Sequence, residues 1–390
     1  MRFEKELSGW ENGSKHNPIW VNAPARINLI GEHTDYNYGF VLPAAIDKAA
    51  YFLIQLREDN YCKVEAKDVG DHLIFNFQDD LKPSAKNWHN YFLGVMHYMK
   101  SSGKVKQGFN LVFESDIPTG AGMSSSAALA CGFGMAINEA YQLGFSKQEI
   151  AKIAQLAEYH FVGVQCGIMD QYACMFGREG HALKLDCSTL KYQYQKIQLD
   201  DYQLVLIDSK VKHELTSTEY NKRREECDRV VSTFKKQDTA IATLRDVTQE
   251  HLTNFGKVLD SVAFKRCDYV INENRRVVEG CQALHANDLQ LFGALMYQSH
   301  KGLAQDYEVS CEELNFLVDE ARQSDHIIGS RMMGGGFGGC TLNIIAQPNA
   351  QEVVNSILSS YKEKMGTDGE SYFIEIKEGC RIFDSGAQDS

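Results

Sequence analysis

Residues 23–36 read APARINLIGEHTDY, and the two halves of this stretch differ in character. The apolar first half predicts a strand that ends at Gly31. The polar side chains of Glu32, His33 and Asp35 come directly after it. Because a carboxylate can accept two hydroxyl protons at fixed angles, this cluster favours a ligand rich in hydroxyl groups. On spacing alone, a solvated turn rich in Asp and Asn is the alternative.

The size and composition of the chain are typical of a globular enzyme. Its 390 residues exceed what one hydrophobic core usually organises, so two domains are expected. Hydrophobic residues make up 44% of the chain and charged residues 24%, as in ordinary folded proteins. No stretch indicates disorder.

The charge balance limits the kinds of partner. The 40 basic and 52 acidic residues give a formal charge of −12, which argues against a non-specific nucleic-acid binder. If the substrate is a polyanion, it must be attracted locally, by backbone N–H groups, a few Arg or Lys residues and a bound cation.

The cysteines and the first residues predict a cytoplasmic protein. Eleven cysteines lie scattered between Cys62 and Cys380 without a C-x-x-C pair, which fits a reducing compartment. The opening MRFEKELSGW lacks the apolar run of a signal peptide, and no stretch approaches the roughly 18 apolar residues of a membrane span. We therefore expect neither a membrane nor a nucleic acid among its partners.

Apolar periodicity predicts an α+β fold. One helix is expected between Trp88 and Met99, and a second over residues 124–143. Ser146 and Glu149 form a capping box at the start of a third helix. Three more boxes predict that the second half is richer in helix: Thr216 with Glu219, Ser310 with Glu313, and Asn349 with Glu352. Strands are predicted at residues 51–57, 61–67, 72–77, 108–115, 202–208, 341–346 and 372–377.

The predicted division into two domains lies at residue 185. The expected units are an N-terminal domain over residues 1–185 and a C-terminal domain over residues 186–390. No internal repeat and no linker rich in Pro or Gly marks the boundary.

A glycine-rich segment at residues 116–129, DIPTGAGMSSSAAL, follows one predicted strand and opens a predicted helix. Gly120 and Gly122 let the backbone approach a ligand closely, and three serines (124–126) stand at the start of the helix. Free N–H groups and the helix dipole favour a phosphate group there. A plain β-to-α turn with serine caps is the alternative. The segment has neither a Walker A lysine nor the third glycine of a dinucleotide fingerprint.

A second glycine-rich segment at residues 331–339, RMMGGGFGG, has five glycines in six residues before a predicted strand. Such density is costly in backbone entropy and indicates a chain that turns sharply or lies against something. We favour a structural loop beside a ligand over a flexible linker.

Residues 158–171, EYHFVGVQCGIMDQ, contain two carboxylates of interest. Asp170 stands in an apolar setting and is either a general base or the cap of a following helix. Glu158 falls near the C-terminal end of the Ser146 helix, where the helix dipole disfavours negative charge. A cation beside Glu158 is therefore expected, and an exposed glutamate without a role is the alternative.

Taken together, the motifs resemble the GHMP kinase superfamily and, within it, the galactokinase family. The stretch GEHTDY marks the galactokinase branch, whereas the middle and last motifs mark the superfamily. The matching segments are APARINLIGEHTDYNYG (Ala23–Gly39), PTGAGMSSSAAL (Pro118–Leu129), CGIMDQ (Cys166–Gln171), EYNKRREEC (Glu219–Cys227) and GGGFGGC (Gly334–Cys340).

The resemblance implies two α+β domains with the active site between them. It also implies transfer of the γ-phosphoryl group of MgATP to the anomeric hydroxyl of α-D-galactose, giving galactose 1-phosphate and ADP. ATP and galactose would be the partners of the chain, with Mg²⁺ as cofactor, and no protein partner is implied.

Matched residue by residue, the family assigns a role to each motif. Asp170 would be the base and Arg26 its electrostatic partner, which favours the ionised carboxylate. Whether Asp170 removes the sugar proton fully or mainly orients the hydroxyl stays open. Ser126 and Glu158 would hold Mg²⁺, which prefers hard oxygen ligands. The sugar pocket would comprise Glu32, His33, Thr34, Asp35, Gly167 and Tyr220, and the triphosphate loop Gly120, Ala121, Gly122, Met123, Ser124, Ser125 and Ser126.

The sequence departs from the family pattern at three positions. Ala25 stands where the family usually has glycine, Met333 where it usually has threonine, and Ala130 where many members have glutamate. None of these removes a charged catalytic group. Met333, beside the second glycine loop, lacks a hydroxyl that would contact substrate or backbone.

Two other functions stay open. A sibling kinase for N-acetylgalactosamine or another sugar differs in pocket volume, which the sequence does not give. A galactose and ATP sensor without turnover is expected to lose part of the serine–alanine stretch, yet residues 124–128, SSSAA, are intact and Asp170 is present.

Overall fold

The computed structural model describes residues 3–10, 16–211 and 216–383. Its strands, in chain order, are β1 (Ile19–Asn28), β2 (Phe40–Val41), β3 (Pro43–Leu56), β4 (Tyr61–Ala66), β5 (Asp71–Asn76), β6 (Phe109–Ser115), β7 (His181–Asp186), β8 (Tyr192–Lys196), β9 (Tyr202–Asp208), β10 (Ile327–Met332), β11 (Cys340–Ala346), β12 (Glu370–Ile374) and β13 (Arg381–Phe383).

The helices contribute the second layer of the fold. In chain order they are α1 (Glu4–Trp10), α2 (Asn87–Met99), α3 (Ser125–Ala140), α4 (Lys147–Ala157), α5 (Met169–Phe176), α6 (Thr216–Phe234), α7 (Gln249–Phe255), α8 (Ser261–His285), α9 (Leu289–Gln305), α10 (Glu312–Arg322) and α11 (Ala350–Met365).

A six-stranded sheet in the order β13-β1-β3-β6-β4-β5 carries the N-terminal half. Helices α3 and α5 pack on β1 and β3, and α2 and α4 pack against α3. The apolar residues at helical spacing on α2, such as Phe92, Val95 and Met99, are fully buried in this core. The β1–β3 register shifts between Pro24 and Arg26, where the Arg26 N–H donates to the Met123 carbonyl. This contact joins β1 to the loop that precedes α3.

The C-terminal half is built on a four-stranded sheet in the order β10-β11-β9-β12. Helices α9 and α10 pack on β10, and α8 packs on α9. The approach of α9 to β10 is close, since a Cβ added to Gly293 would lie 2.0 Å from the Ile328 carbonyl oxygen. Strands β2, β7 and β8 form a small three-stranded sheet, in which Phe40 of β2 lies opposite Asp186 of β7.

Most of the predicted elements are present with small changes at their ends. The capping box of Ser146 and Glu149 is confirmed, and the helix behind it is α4. The box predicted at Ser310 is wrong, because α10 has Cys311 as its N-cap and Ser310 Oγ donates to Asn315 instead. Asn349 makes no capping hydrogen bond from its side chain. The Thr216 side chain lies outside the described residues.

The division at residue 185 stays a prediction. That position lies inside β7, and the segment after β12 returns to the N-terminal half, where β13 pairs with β1. Among the described residues, no helix combines the length and apolar character needed to cross a membrane.

Candidate active site

The turn after β1, residues 31–39 and called the signature turn below, is largely buried. His33 has a left-handed backbone with φ of 61°. The Thr34 hydroxyl lies 2.8 Å from the Gly31 carbonyl oxygen and 2.6 Å from that of Phe40. Thr34, predicted for the sugar pocket, therefore closes the turn with its side chain.

Glu32 faces the second glycine-rich segment. Its Oε1 accepts a hydrogen bond of 2.8 Å from the Gly334 N–H and lies 3.4 Å from Arg331 NH1. Burial raises the pKa of Glu32, and the charges of Arg331 and Arg26 oppose this rise. The carboxylate thus links the signature turn to the glycine loop that follows β10.

Asp35 and Gly167 are packed so closely that position 167 admits only glycine. A Cβ added to Gly167 would lie 1.9 Å from Asp35 Oδ2. Burial, and then repulsion from Asp170, raise the pKa of Asp35 to about 7. A cavity of about 330 Å³ opens beside Asp35 and Gly167, with Tyr159 and Arg224 in its wall.

Arg26 joins Asp170 to the first glycine-rich segment. Its Nε and NH2 donate to the two carboxylate oxygens of Asp170 at 2.7 and 2.8 Å, and its NH1 donates to the Gly122 carbonyl at 2.6 Å. Arg26 is 5% exposed. The predicted pairing of Arg26 with Asp170 is therefore present, as a planar, two-bond contact.

Asp170 does not cap α5. Ile168 is the N-cap of that helix, and Asp170 lies in its first turn with its carboxylate directed to Arg26. The helix-cap interpretation of Asp170 is thus wrong. The first turn of α5 still places the N-terminal dipole beside the negative charge.

The loop before α3 has the backbone expected of a ligand cradle. Gly120 and Gly122 have φ of 83° and 76°, and Ser124 has φ of 60° although it carries a side chain. Ser124 is the N-cap of α3 but makes no capping hydrogen bond. Its buried Oγ has no hydrogen-bond partner among the described residues. The serine-cap interpretation therefore fails, and an unsatisfied hydroxyl in a strained backbone is typical of a binding loop.

Glu158 is buried rather than solvent-exposed, so the exposed-glutamate alternative is wrong. It opens a π-helical turn, Glu158–Val162, directly after α4, and such turns often mark functional sites. Its Oε1 accepts a hydrogen bond of 3.0 Å from Gln171 Nε2, and the nearby Ser126 hydroxyl helps to stabilise the charged form of this carboxylate. Burial, and then repulsion from Asp170, raise the pKa of Glu158 to about 7.

The pair of Ser126 and Glu158 fits a Mg²⁺ ion bound with a nucleotide. Both offer hard oxygen atoms, and Mg²⁺ needs few protein ligands when phosphates and water supply the rest. The described residues hold no cluster of three or more His, Cys, Asp or Glu side chains suited to a metal. A buried carboxylate whose pKa is raised matches a position that a cation completes.

The second glycine-rich loop packs between the other two segments. A Cβ added to Gly334 would lie 3.1 Å from the Gly122 carbonyl oxygen, and one added to Gly336 would lie 2.2 Å from that of Val309. His33 Nε2 lies 3.2 Å from the Gly335 carbonyl oxygen. The second glycine-rich loop, predicted to lie beside a ligand, therefore packs against both the signature turn and the loop before α3.

His33 begins a chain of hydrogen bonds through two tyrosines. We assign its proton to Nε2, because the Gly335 carbonyl can only accept. Burial lowers the pKa of His33 to about 3, so the ring is neutral and its Nδ1 accepts from Tyr36 Oη at 2.7 Å. Tyr307 Oη then donates to Tyr36 at 2.8 Å and accepts from Cys227 Sγ at 3.1 Å. The contacts of the two ring nitrogens therefore select the His33 tautomer that is protonated at Nε2.

Tyr220 of α6 completes an aromatic cluster at the signature turn. Its ring centroid lies 5.3 Å from that of His33 and 5.2 Å from that of Tyr36. A Cβ added to Gly335 would lie 3.3 Å from Tyr220 Cδ2. The structure thus brings Tyr220 and the predicted site residues of the N-terminal half to one place.

Three family models match this chain. They are the GHMP kinases N terminal domain over residues 90–178, the galactokinase galactose-binding signature over residues 11–56 and the GHMP kinases C terminal over residues 282–363.

Curated relatives match along almost the whole length. The galactokinase of Roseiflexus sp. is 38% identical over 371 residues, which cover 95% of this chain and 94% of the relative. The galactokinase of Thermotoga maritima is 39% identical over 361 residues, covering 93% and 99%. The chain belongs to the galactokinase family.

Solved structures share the fold of this galactokinase-family chain. Lactococcus lactis galactokinase, solved in complex with galactose, has a TM-score of 0.92 and 31% identity, covering 98% of this chain and 100% of that one. The Methanococcus jannaschii mevalonate kinase has a TM-score of 0.65 at 19% identity, over 94% of this chain and 99% of that one, and shows the fold alone. The α+β fold of two-domain GHMP kinases is confirmed.

The three departures of this galactokinase-family chain are buried. Ala25 precedes Arg26 on β1, and Ala130 lies in the core face of α3. Met333 is fully buried, and its N–H donates to the Cys340 carbonyl at 3.0 Å. Met333 thus contributes a packed side chain where a hydroxyl is usual.

Several residues that shape the site were missed from the sequence. Tyr36 and Tyr307 orient His33, and Gln171 contacts Glu158. Glu273 of α8 contacts the backbone of the signature turn. The sequence contained one signal for Glu273. It lies four residues after Tyr269 and four before Val277, a spacing that predicts a shared buried face on α8.

Proposed function

We propose that this chain transfers the γ-phosphoryl group of ATP to the anomeric hydroxyl of α-D-galactose and releases galactose 1-phosphate and ADP. The observation that carries the proposal is the contact of Arg26 with both Asp170 and the Gly122 carbonyl. This contact places a carboxylate between the signature turn and the loop that precedes α3. An acceptor hydroxyl and a phosphate would meet there.

Asp170 accepts the proton of the anomeric hydroxyl in this proposal. The hydroxyl oxygen forms a bond to the γ-phosphorus, and the bond from that phosphorus to the β–γ bridging oxygen breaks, so ADP leaves with its electron pair. Arg26 holds the Asp170 carboxylate in a fixed plane through two hydrogen bonds. The N-terminal turn of α5 adds a favourable dipole to the charged form.

The sugar would lie on the signature turn. Asp35 and Glu32 supply carboxylate oxygens for its hydroxyl groups, and the ring of His33, held by Tyr36 and the Gly335 carbonyl, contributes to the wall beside them. Tyr220 packs beside His33, and Gly167 leaves the space next to Asp35. Thr34 acts through the shape of the turn.

The triphosphate would lie on residues 120–126. Free N–H groups at the start of α3 and its dipole attract phosphate without a net positive surface, which suits a chain of charge −12. Ser126 and Glu158 would hold Mg²⁺, which neutralises charge on the β- and γ-phosphates when bound.

A coupled ADP-release assay tests the proposal. With ATP and Mg²⁺ present, galactose is expected to release ADP in equimolar amounts with galactose 1-phosphate. N-acetylgalactosamine and a panel of related hexoses and pentoses test the sibling activities. If another sugar is phosphorylated more efficiently, that sugar and not galactose is the substrate. If no sugar at saturating concentration causes ADP release, the chain is a sensor without turnover.

We infer a cytoplasmic location for this reaction. All eleven cysteines are free thiols, as expected in a reducing compartment that also contains ATP. Cell fractionation would test the inference, and recovery of the chain outside the cytoplasmic fraction would contradict it.

A further inference from the structure

Helix α8 holds the signature turn through the backbone of the turn. Side chains at three positions on α8 reach main-chain atoms at the start of this turn and at the residue directly after it. The contacts are Tyr269 Oη to the Glu32 carbonyl (3.0 Å), Glu273 Oε1 to the Gly31 N–H (2.9 Å) and Asn274 Oδ1 to the Phe40 N–H (2.7 Å). The turn is therefore placed by a helix of the other half of the chain.

Glu273 is the charged member of this group, and its side chain is fully buried. Besides the Gly31 N–H, its Oε1 accepts from Ser299 Oγ at 2.6 Å, and its Oε2 accepts from Arg276 Nε at 2.6 Å. Burial opposes the charged form most strongly, but Arg276 and Arg331 together lower the pKa of Glu273. The side chain is thus a carboxylate with both oxygens engaged.

Arg331 is paired with Glu32, and its positive charge also lowers the pKa of Glu273. It is fully buried, and its NH1 donates to the Asn28 carbonyl at 2.8 Å and lies 3.4 Å from Glu32 Oε1. Its Nε and NH2 have no hydrogen-bond partner within the described ranges. A buried guanidinium that is only partly satisfied depends strongly on the charges around it.

Three close pairs of an arginine and a carboxylate lie in this part of the molecule. Their nitrogen and oxygen atoms are 2.6, 3.4 and 2.7 Å apart. In the same order, the pairs are Arg276 with Glu273, Arg331 with Glu32, and Arg26 with Asp170.

We propose that Glu273 is a positioning residue for the acceptor sugar. Its carboxylate fixes the amide of Gly31, the residue directly before Glu32, so the Glu32 carboxylate stays aligned with the signature turn. The inference rests on the proposed function, because it concerns how the same site holds its sugar.

Loss of the negative charge at Glu273 would move Glu32. Glu32 follows Gly31 in the chain, and Glu273 holds the N–H of Gly31. The amide nitrogen of a glutamine would also face the Arg276 donor, so the Gly31 contact would loosen.

Glu273→Gln tests the proposal through separate kinetics for the two substrates. We expect kcat/KM for galactose to fall about 100-fold, the scale of a group displaced by ~1 Å, with a raised KM for galactose. The KM for ATP is expected to stay within about twofold of the parent value, because the hydrogen bonds that Tyr269, Glu273 and Asn274 of α8 make here reach residues 31, 32 and 40 and not the loop before α3. A purely structural role would lower the melting temperature without this split.

Glu279→Gln is the matched control, since Glu279 lies on the same helix in a solvent-exposed pair with Arg275. If Glu273→Gln matches Glu279→Gln in both KM values, the proposal is wrong. If Glu273→Gln does not fold, Ser299→Ala decides, because it removes one donor to the same oxygen. A selective rise in the galactose KM then supports the proposal, and unchanged KM values overturn it.

The outcomes separate the two proposals. If the parent protein releases no ADP with galactose, both the proposed function and this inference are wrong. If the parent protein phosphorylates galactose and Glu273→Gln has unchanged galactose kinetics, only the inference is wrong.

Discussion

Arg26 and Asp170 are joined by two parallel hydrogen bonds although 144 residues separate them along the chain. The fork of the guanidinium matches both carboxylate oxygens, which fixes the plane of Asp170 as well as its charge. The third arm of Arg26 reaches the Gly122 carbonyl. A movement of the loop before α3 is therefore transmitted directly to Asp170.

Asp170→Asn keeps the size of the side chain but removes its ability to accept a proton. We expect turnover to fall by roughly 10²–10⁴-fold while galactose and ATP still bind, as for loss of a general base. Steady-state kinetics and isothermal titration calorimetry measure the two effects. Asp319→Asn, at an exposed position on α10, is the control. Near-normal turnover in Asp170→Asn would remove this residue from the mechanism.

Glu158→Gln tests the magnesium assignment. The variant keeps an oxygen to which the Gln171 amide can donate but loses the charge that a cation would balance. Activity is expected to drop sharply at limiting Mg²⁺ and to recover partly as Mg²⁺ rises, while galactose binding alone stays unchanged. Glu363→Gln, exposed on α11, serves as the control. A magnesium titration that overlays that of the parent would exclude Glu158 as a ligand.

Tyr36→Phe removes the proton donor to His33 Nδ1. A buried acceptor left unpaired costs about 1–3 kcal/mol, so a fall in stability and a shift of the His33 Nδ1 signal are expected, while the Gly335 carbonyl keeps the proton on Nε2. Nitrogen-15 NMR of the imidazole measures this shift and shows which ring nitrogen carries the proton. Tyr61→Phe, exposed on β4, controls for loss of a hydroxyl. If the His33 nitrogen signals are the same in Tyr36→Phe and the parent, the proposed hydrogen-bond chain is wrong.

Asp35→Asn should change how stability depends on pH. The pKa of Asp35 is raised from 3.8 to about 7, so between these values the folded protein holds a proton that the unfolded chain has released. Stability from this group is therefore present at low pH and is lost as pH rises through 7, by on the order of 1.4 kcal/mol per unit of pKa shift. The variant cannot ionise and escapes this loss.

Melting temperatures of the ligand-free proteins at pH 5 and pH 8 measure the effect. The stability of Asp35→Asn relative to the parent is expected to rise over this interval, because contributions from His33 and other groups cancel in the difference. A difference that is constant with pH would contradict the raised pKa of Asp35.

Short-range signals in the sequence predicted much of this fold and site. The Ser146 capping box, the glycine-rich segments and the GEHTDY motif each depend on a few neighbouring residues, and they lie where local chemistry places them. The pairing of Arg26 with Asp170 followed from the family resemblance. Local propensity contains no information on a contact over such a separation.

The strands and contacts that could not be predicted from the sequence depend on residues far apart in the chain or on weak local signals. Strand β8 is mostly exposed and polar, and β10 contains Gly329 and the buried Arg331, so neither shows the usual apolar alternation. The contact of Glu273 with Gly31 spans 242 residues. Only the folded chain shows that a carboxylate on the buried face of α8 reaches a main-chain N–H of the signature turn.

The pairing of β13 with β1 has a consequence for biosynthesis. Trp20 and Phe383 are partners in one sheet, so the strand that carries Arg26 acquires its outer neighbour only after residues 381–383 have left the ribosome. Until then the edge of β1 presents free N–H and C=O groups to other chains. A nascent or truncated chain that lacks β13 is thus exposed to edge-to-edge aggregation at the strand that leads into the signature turn.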